Sequence, residues 1–147
     1  MQTKLSVLLQ HKGPQVHSVS PTATVVEAVR TMNDARVGAL LVMDRDQPVG
    51  IFTERDVLGR VVDQRRDPAT TKVADVMTVE LVTVRSETSV EEAMAVITAR
   101  RCRHLPVMDG EKLSGLISIG DLTRWVTRRQ AWHIEDLVNY ITGKYPV

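Results

Sequence analysis

The sequence predicts an α+β protein in which two β-α-β-β-α units pack as a pseudo-symmetric pair, followed by a C-terminal tail helix. The first observation behind this prediction is an internal repeat, which aligns without gaps at one constant offset and carries Gly50 onto Gly115 and Asp56 onto Asp121. The second is that each copy combines short apolar segments of strand length with a segment of helical spacing. The third is an apolar stripe with helical spacing near the C-terminus.

Composition indicates a folded protein and excludes several classes of function. Of the 147 residues, 43% are apolar and 3% are aromatic, so we expect an aliphatic core and no aromatic platform for single-stranded nucleic acid. The formal net charge of +1 favours neither a nucleic-acid nor a membrane-surface partner. No segment approaches the roughly 20 apolar residues of a membrane span. The single cysteine, Cys102, cannot form an intramolecular disulfide, which fits a reducing cytoplasm.

Each unit carries three predicted strands, the last two joined by a short polar turn. The second strand of each unit is almost entirely apolar, as is typical of a buried strand, and the turns are rich in Asp, Gly and Pro. We therefore expect a hairpin in each unit. The strands are predicted at 17–21, 37–43 and 49–52 in the first unit, and at 82–86, 103–108 and 114–117 in the second.

Helices are predicted on both sides of each hairpin. Thr24 with Glu27, and Ser89 with Glu92, match the capping box, in which a hydroxyl and a carboxylate satisfy free amides of the first helical turn. A closing helix is expected to begin after each return strand. The apolar faces of the first helices are Val25, Ala28, Val29, Met32 and Ala35 in one unit, and Val90, Ala93, Met94 and Ile97 in the other.

The rest of the chain is interpreted as connections and a tail. The stretch between the units is charged and carries Pro68, which is typical of a linker. Ile134, Leu137, Val138 and Ile141 keep helical spacing before Gly143, a residue that often ends helices. The predicted divisions are a lead-in at 1–15, repeat 1 at 16–66, a linker at 67–80, repeat 2 at 81–129 and a tail helix at 130–147.

A hydroxyl and a carboxylate recur where each return strand meets its closing helix. Thr53 and Asp56 occupy this place in repeat 1, and Ser118 and Asp121 occupy it in repeat 2. The free amides and partial positive charge of a helix N-terminus suit a phosphate, and the carboxylate can accept hydrogen bonds from ribose hydroxyls. The same spacing also serves as a helix cap that needs no ligand, so the motif alone leaves both interpretations open.

Segments 50–56 and 115–121 both read Gly-h-h-[Ser/Thr]-x-x-Asp, where h is apolar. Together with Arg-His-Leu-Pro-Val at 103–107 and Asp-Val-Met-Thr at 75–78, these repeats resemble the CBS domain, named after cystathionine beta-synthase. The resemblance covers roughly residues 16–129, and the doubled pattern makes it specific. It implies a stand-alone, bacterial-type CBS pair with two clefts for adenosine compounds, which commonly associates as a homodimer.

The resemblance also implies which residues line the clefts, because each cleft joins the motif of one repeat to the first strands of the other. The two clefts are expected to differ, since Arg55 could pair with a phosphate and its counterpart Gly120 could not. One cleft would use Thr53, Arg55, Asp56, Thr83, Arg103 and His104; the other would use Ser118, Asp121, Ser18, Val19, Gly38 and Ala39.

Two functions of different classes follow. The first is a regulatory sensor that binds an adenine nucleotide (AMP, ADP, ATP or NAD) and reports to a protein partner. The second is a structural dimerisation module with empty clefts, whose tail helix holds a partner. No catalytic set, catalytic cofactor or metal site is expected, because Cys102 and His104 lack an orienting third group and the histidines lack zinc-ligand spacing.

Overall fold

The computed structural model describes residues 2–141, apart from the side chains of residues 132, 133, 136, 137, 139 and 140. It confirms the α+β class and the paired units. The elements in chain order are α1 (Leu5–Lys12), β1 (Ser18–Val19), α2 (Val25–Ala35), β2 (Ala39–Asp44), β3 (Gln47–Thr53), α3 (Glu54–Asp56), a π-helix (Val57–Val62), α4 (Val73–Val76), α5 (Val90–Arg100), β4 (His104–Asp109), β5 (Lys112–Ser118) and α6 (Ile119–Ile141).

Both predicted hairpins are present, and they match each other in detail. Strands β2 and β3 pair antiparallel, as do β4 and β5, and a register shift follows Val42 in the first hairpin and Val107 in the second. Strand β1 runs parallel to β2 in the first unit. The strand predicted at 82–86 is reduced to a single parallel bridge between Val84 and Val107, which is the counterpart of the Val19–Val42 pair.

The predicted caps form at the starts of α2 and α5. The Thr24 hydroxyl accepts from the Glu27 amide at 3.3 Å, and the Glu27 carboxylate accepts from the Thr24 amide at 3.2 Å, which completes the capping box. At α5 the Ser89 hydroxyl accepts from the Glu92 amide at 3.1 Å. The apolar face of each capped helix packs in the core cluster of its own unit.

Two short helices were not predicted from the sequence, and each packs on the opposite unit. Helix α1 lies in the expected lead-in and contributes Leu5 and Leu8 to the core of the second unit. Helix α4 lies in the expected linker and contributes Val73 and Val76 to the core of the first unit. The two units therefore exchange their leading helices.

Equivalent backbone hydrogen bonds hold the exchanged helices. The Leu5 amide donates to the Thr88 carbonyl at 2.8 Å, and the Val73 amide donates to the Ala23 carbonyl at 2.9 Å. The repeat offset that carries Asp56 onto Asp121 also carries Ala23 onto Thr88, so these bonds occupy the same place in the two repeats. The exchange extends the pseudo-symmetry beyond the predicted units.

The core consists of one aliphatic cluster in each unit and a smaller cluster between them. The central cluster is built around Ala39, Leu41, Ile51 and Leu116, so the faces of the two hairpins meet there. Neither hairpin could cover both of its faces alone, and this contact explains why the two units pack together.

The closing helices differ from each other. In the first unit α3 passes directly into the π-helix Val57–Val62, a wider turn that no sequence feature predicted. In the second unit α6 runs without interruption from Ile119 to Ile141, so it crosses the predicted boundary between repeat 2 and the tail. The predicted stop at Gly143 lies outside the described residues. Among residues 2–141, none of the helices is both long and apolar enough to cross a membrane.

Candidate functional site

The Ser118–Asp121 motif forms a reciprocal cap at the start of α6. The Asp121 amide donates to the Ser118 hydroxyl at 3.1 Å, and the Ser118 amide donates to Oδ2 of Asp121 at 2.9 Å. This is the capping geometry that the sequence left open. It orients the carboxylate at the junction of β5 and α6, where a ligand could reach it.

Two cations neutralise the Asp121 carboxylate. Lys12 at the end of α1 places its Nζ 2.7 Å from Oδ2, and Arg124 places a guanidinium nitrogen 2.7 Å from Oδ1. Lys12 also donates to the Leu116 carbonyl at 2.6 Å. Burial raises the pKa of the Asp121 carboxyl, but the bonds from Lys12 and Ser118 outweigh it and hold the pKa below its ordinary value.

A cavity of about 330 Å³ opens beside this carboxylate. It brings together Gly38, Ala39, His104, Ser118 and Asp121 from the predicted set. The apolar part of its lining comes from Val16, Val37, Ala39 and Leu116. Its volume falls in the range of small-molecule sites, and its lining is more polar than is usual for them.

The charge around the cavity is mainly positive. Lys12, Arg36 and Arg124 line it together with a single carboxylate, that of Asp121. Burial lowers the pKa of the His104 imidazole, and the charge of Lys12 lowers it further, which keeps the ring neutral near pH 7. The cavity therefore offers cations to an anion, a carboxylate to hydroxyl groups, and apolar side chains to a flat ring.

In the first unit, the carboxylate of the equivalent Thr53–Asp56 motif is less exposed than that of Asp121. The Thr53 amide donates to Oδ2 of Asp56 at 3.0 Å, and the Asp56 amide donates to the Thr53 hydroxyl at 3.2 Å. The Thr78 hydroxyl donates to Oδ1 of Asp56 at 3.0 Å, and Arg60 lies 3.6 Å from the same oxygen. Asp56 is buried as a result, with 6% of its surface exposed.

The remaining predicted residues lie outside the lining of the 330 Å³ cavity. Ser18 and Val19 pair with Leu41 and Val42 in the first sheet. Arg55, Thr83 and Arg103 are exposed. Unlike these residues, His104 lines the cavity beside Asp121, although it was predicted for the other cleft. The assignment of these residues to a ligand stays a prediction.

Several lining residues were not predicted from the sequence. Arg124 lies one helical turn after Asp121, so a search of that helix face would have found it. Lys12 could have been found through α1, because Thr3-Lys4 before α1 matches Thr71-Lys72 before α4. Within the described residues, no group of three or more His, Cys, Asp or Glu side chains is arranged to hold a metal ion.

The CBS domain family model matches residues 13–63 and 73–128, and the chain belongs to this family. Both matched ranges include a hairpin and a capped motif described above. Pairs of CBS domains are commonly regulatory or ligand-binding modules. The match therefore covers both halves of the pseudo-symmetric pair.

Relatives share the fold over most of this chain. CBSX3, a mitochondrial CBS domain-containing protein of Arabidopsis thaliana, is 41% identical over 152 residues, which cover 97% of this chain and 74% of the relative. A solved CBS-domain protein of Burkholderia ambifaria has a TM-score of 0.81 at 42% identity, covering 84% of this chain and 93% of that one. A hexameric CBS-CP12 protein from bloom-forming cyanobacteria has a TM-score of 0.74 at 30% identity, covering 84% of this chain and 71% of that one.

Proposed function

We propose that this chain is a regulatory sensor that binds an adenine nucleotide, namely AMP, ADP, ATP or NAD, in the cavity beside Ser118 and Asp121. The observation that carries the proposal is the combination of one carboxylate, Asp121, with three cations, Lys12, Arg36 and Arg124, around one cavity. A nucleotide supplies the complementary groups, because its ribose hydroxyls donate to a carboxylate and its phosphate oxygens accept from cations.

Binding would exchange partners at the carboxylate. Lys12 and Arg124 hold both carboxylate oxygens of Asp121 in the structure. When ribose hydroxyls take their place, the two cations become available to phosphate, which lies beside them on the same ligand. Adenine then packs against the apolar side chains of the lining. A phosphate-bearing compound is favoured over S-adenosylmethionine, whose sulfonium and ammonium groups would meet like charge.

The regulatory role is proposed in preference to an enzymatic one, because Ser118 and Asp121 form a helix cap and Asp121 is ion-paired with Lys12 and Arg124. We also propose that two copies associate as a homodimer and present the state of the cavity to a protein partner in the cytoplasm. The hexamer formed by the CBS-CP12 relative supports self-association. The word mitochondrial in the name of CBSX3 gives the location of that relative and not of this chain.

Thermal unfolding tests the proposed ligand. The purified chain, stripped of bound nucleotide, is heated with AMP, ADP, ATP or NAD, with GMP and adenosine as controls. A ligand at 100 times its dissociation constant should stabilise the fold by about 2.7 kcal/mol. Stabilisation by a phosphate-bearing adenine compound that is lost in Asp121→Ala would support the proposal. No stabilisation by any of the four would contradict it and favour a structural dimerisation module.

A further inference from the structure

The segments that carry α1 and α4 follow the same path over the opposite units and then diverge. We propose that the last turn of α1 is a switch. It is helical in the free protein and becomes extended when a nucleotide occupies the Asp121 cavity, so that Gln10 pairs with Leu116 on the edge of β5. The switch describes how that cavity is regulated, and it rests on the proposed function.

The two segments match at consecutive positions. Each begins with an amide that donates to the unit it packs on, continues with a buried residue three positions later, and then reaches the motif glycine of that unit. These residues are Leu5, Leu8 and Leu9 in the first segment, and Val73, Val76 and Met77 in the second. The next residue in order is Gln10 in one segment and Thr78 in the other. Gln10 is therefore the counterpart of Thr78.

The backbone conformations of the two segments differ from this point on. Met77 is extended, with φ −71° and ψ 161°. Thr78 forms an antiparallel bridge with Ile51, in which each amide donates to the other carbonyl at 2.9 Å. Helix α1, in contrast, continues to Lys12 and ends at Gly13. Two equivalent places in the chain thus show a helical and an extended form of the same segment.

The edge of β5 at Leu116 can accept the same bridge. Leu116 is the counterpart of Ile51, and it pairs with Pro106 on β4. Proline has no amide to donate, and the Pro106 carbonyl accepts from Val84, so the peptide groups of Leu116 face away from β4. The Leu116 carbonyl accepts from Lys12 Nζ at 2.6 Å. A side chain therefore fills the place that a backbone amide holds in the first unit.

Nucleotide binding removes the contacts that hold the last turn of α1. Lys12 loses Asp121 to the ribose hydroxyls and turns to the phosphate, which leaves the Leu116 carbonyl without its donor. Leu116 is only 8% exposed, and a buried acceptor without a donor is costly. The Gln10 amide supplies the donor once the turn is extended. Because tertiary contacts hold a helix of eight residues, its end responds to their loss.

The extended form keeps Lys12 beside the ligand. Side chains two positions apart share one face of an extended chain, so Lys12 points in the same direction as Gln10. Gln10 takes the place of Thr78, whose hydroxyl donates to the motif carboxylate of the first unit. Both side chains therefore face the cavity, where Lys12 meets the phosphate.

His11 carries the change to the surface of the protein. In the helical form its ring packs against that of Trp125 on α6, with the ring centroids 5.3 Å apart. In the extended form His11 points away from the face that its two neighbours share, and this contact is lost. The end of α1 and the adjoining part of α6 then differ between the free and the bound protein, which gives a protein partner two states to distinguish.

NMR of the full chain tests the switch directly. With saturating AMP, ADP, ATP or NAD, the chemical shifts of residues 10–12 should change from helical to extended values. An amide–amide NOE should appear between Gln10 and Leu116, and residues 5–8 should stay helical. A nucleotide that binds and leaves residues 10–12 helical would overturn the switch alone. Failure of all four compounds to bind would overturn the proposed function and the switch together.

Substitutions at Gln10 move the balance between the two forms without changing the cavity. Gln10→Thr favours the extended form and Gln10→Ala the helix, so nucleotide affinity should be about threefold higher in Gln10→Thr. In a Trp132→Phe background, the free Gln10→Thr variant should already show the red-shifted Trp125 emission expected when His11 leaves. Ser6→Thr and Ser6→Ala, one turn earlier, are the matched controls and should bind alike. Equal affinities of the two Gln10 variants would overturn the switch.

Discussion

Lys12 Nζ lies 2.7 Å from Oδ2 of Asp121, although the two residues are 109 positions apart in the chain. The same ammonium group donates to the Leu116 carbonyl at 2.6 Å. Lys12 therefore joins the exchanged helix α1 to both ends of the segment that carries the Ser118–Asp121 motif. In the first unit the equivalent acceptors are the Ile51 carbonyl and the Asp56 carboxylate, and they have a different donor.

In the first unit Thr78 takes the place of Lys12. Its amide donates to the Ile51 carbonyl at 2.9 Å, and its hydroxyl donates to Asp56 at 3.0 Å. The backbone bond to Ile51 fixes the segment from which the Thr78 hydroxyl reaches Asp56. The ammonium group of Lys12, in contrast, lies on a flexible stem and can turn to a new partner. The two carboxylates therefore differ in how easily a ligand can reach them, and the Asp121 side is the accessible one.

The first prediction concerns ligand selectivity. Lys12→Met should weaken AMP binding by about 10-fold or more, because one charge-assisted hydrogen bond to phosphate is lost. Binding of adenosine, which carries no phosphate, should weaken much less. Isothermal titration with both compounds measures the difference, and Lys112→Met on β5 is the control. Equal losses for AMP and adenosine would mean that Lys12 acts only through the fold.

The second prediction concerns pH. The pKa of His104 is lowered by burial and by Lys12, so the folded state favours the neutral ring. The unfolded chain binds a proton near pH 6.5, and the contribution of His104 to stability is therefore present above pH 6.5 and is lost as pH falls from there towards the folded pKa. His104→Gln should remove this part of the pH dependence. In an NMR titration, Lys12→Met should raise the pKa of His104; an unchanged pKa would contradict this effect of the Lys12 charge.

The parts of the fold that could be predicted from the sequence depend on local signals. The hairpins follow from apolar runs bounded by turn residues, and the cap at Thr24 follows from the Glu three positions later. The segments at 17–21 and 82–86 are both predicted as longer strands than the structure shows, since the first is reduced to Ser18–Val19 and the second to a bridge at Val84. The difference arises from tertiary pairing, which a local pattern does not contain.

Helix α1 and its lysine could not be found by the same procedure. The pair Thr3-Lys4 and Thr71-Lys72 is separated by a longer stretch of chain than the offset that carries Asp56 onto Asp121. A search at one fixed offset therefore missed the match between the two Thr-Lys pairs and the helices that follow them. Lys12 was missed for a related reason, because it reaches Asp121 only after α1 crosses to the opposite unit.

The third prediction uses the two motif glycines as a matched pair. A Cβ atom added at Gly50 would lie 2.7 Å from the Met77 sulfur and 2.9 Å from the Thr78 carbonyl oxygen, whereas one at Gly115 would meet only the Leu9 side chain. The Thr78 backbone can shift less readily than the end of the flexible Leu9 side chain. Gly50→Ala should therefore lower the unfolding free energy by about 1–3 kcal/mol, and Gly115→Ala by less. Urea unfolding compares them, and a larger loss at Gly115 would contradict the reasoning.

The fourth prediction tests the exchange of helices. Leu5 is fully buried in the core of the second unit, so Leu5→Ala should lower the unfolding free energy by about 2–5 kcal/mol. Gln10→Ala on the exposed side of α1 should have little effect. Hydrogen exchange should show loss of protection at the start of α5, where the Val90 amide donates to the Thr3 carbonyl at 2.9 Å. Unchanged stability in Leu5→Ala would mean that α1 is not docked.

The fifth prediction separates the two motifs. Asp56 is held by Thr53, Thr78 and Arg60 and is buried, so its main role is to close the first unit. Asp56→Ala should lower the unfolding free energy by about 2 kcal/mol, through loss of the cap and of the partner of Thr78, and the folded variant should still bind nucleotide.

Asp121→Ala should differ by abolishing binding. It removes the acceptor for ribose and the carboxylate that Lys12 and Arg124 both contact, so nucleotide binding should be lost. Loss of its cap at the start of α6 should lower the unfolding free energy by about 0.5–2 kcal/mol, and the variant should still fold. Titration calorimetry and urea unfolding on both variants give the two measurements independently. Equal losses of binding in the two variants would mean that the motifs hold ligand alike. The Lys12–Asp121 ion pair would then contribute to stability alone. A lysine that releases its carboxylate to a ligand is present in only one of the two motifs, and it therefore predicts unequal binding.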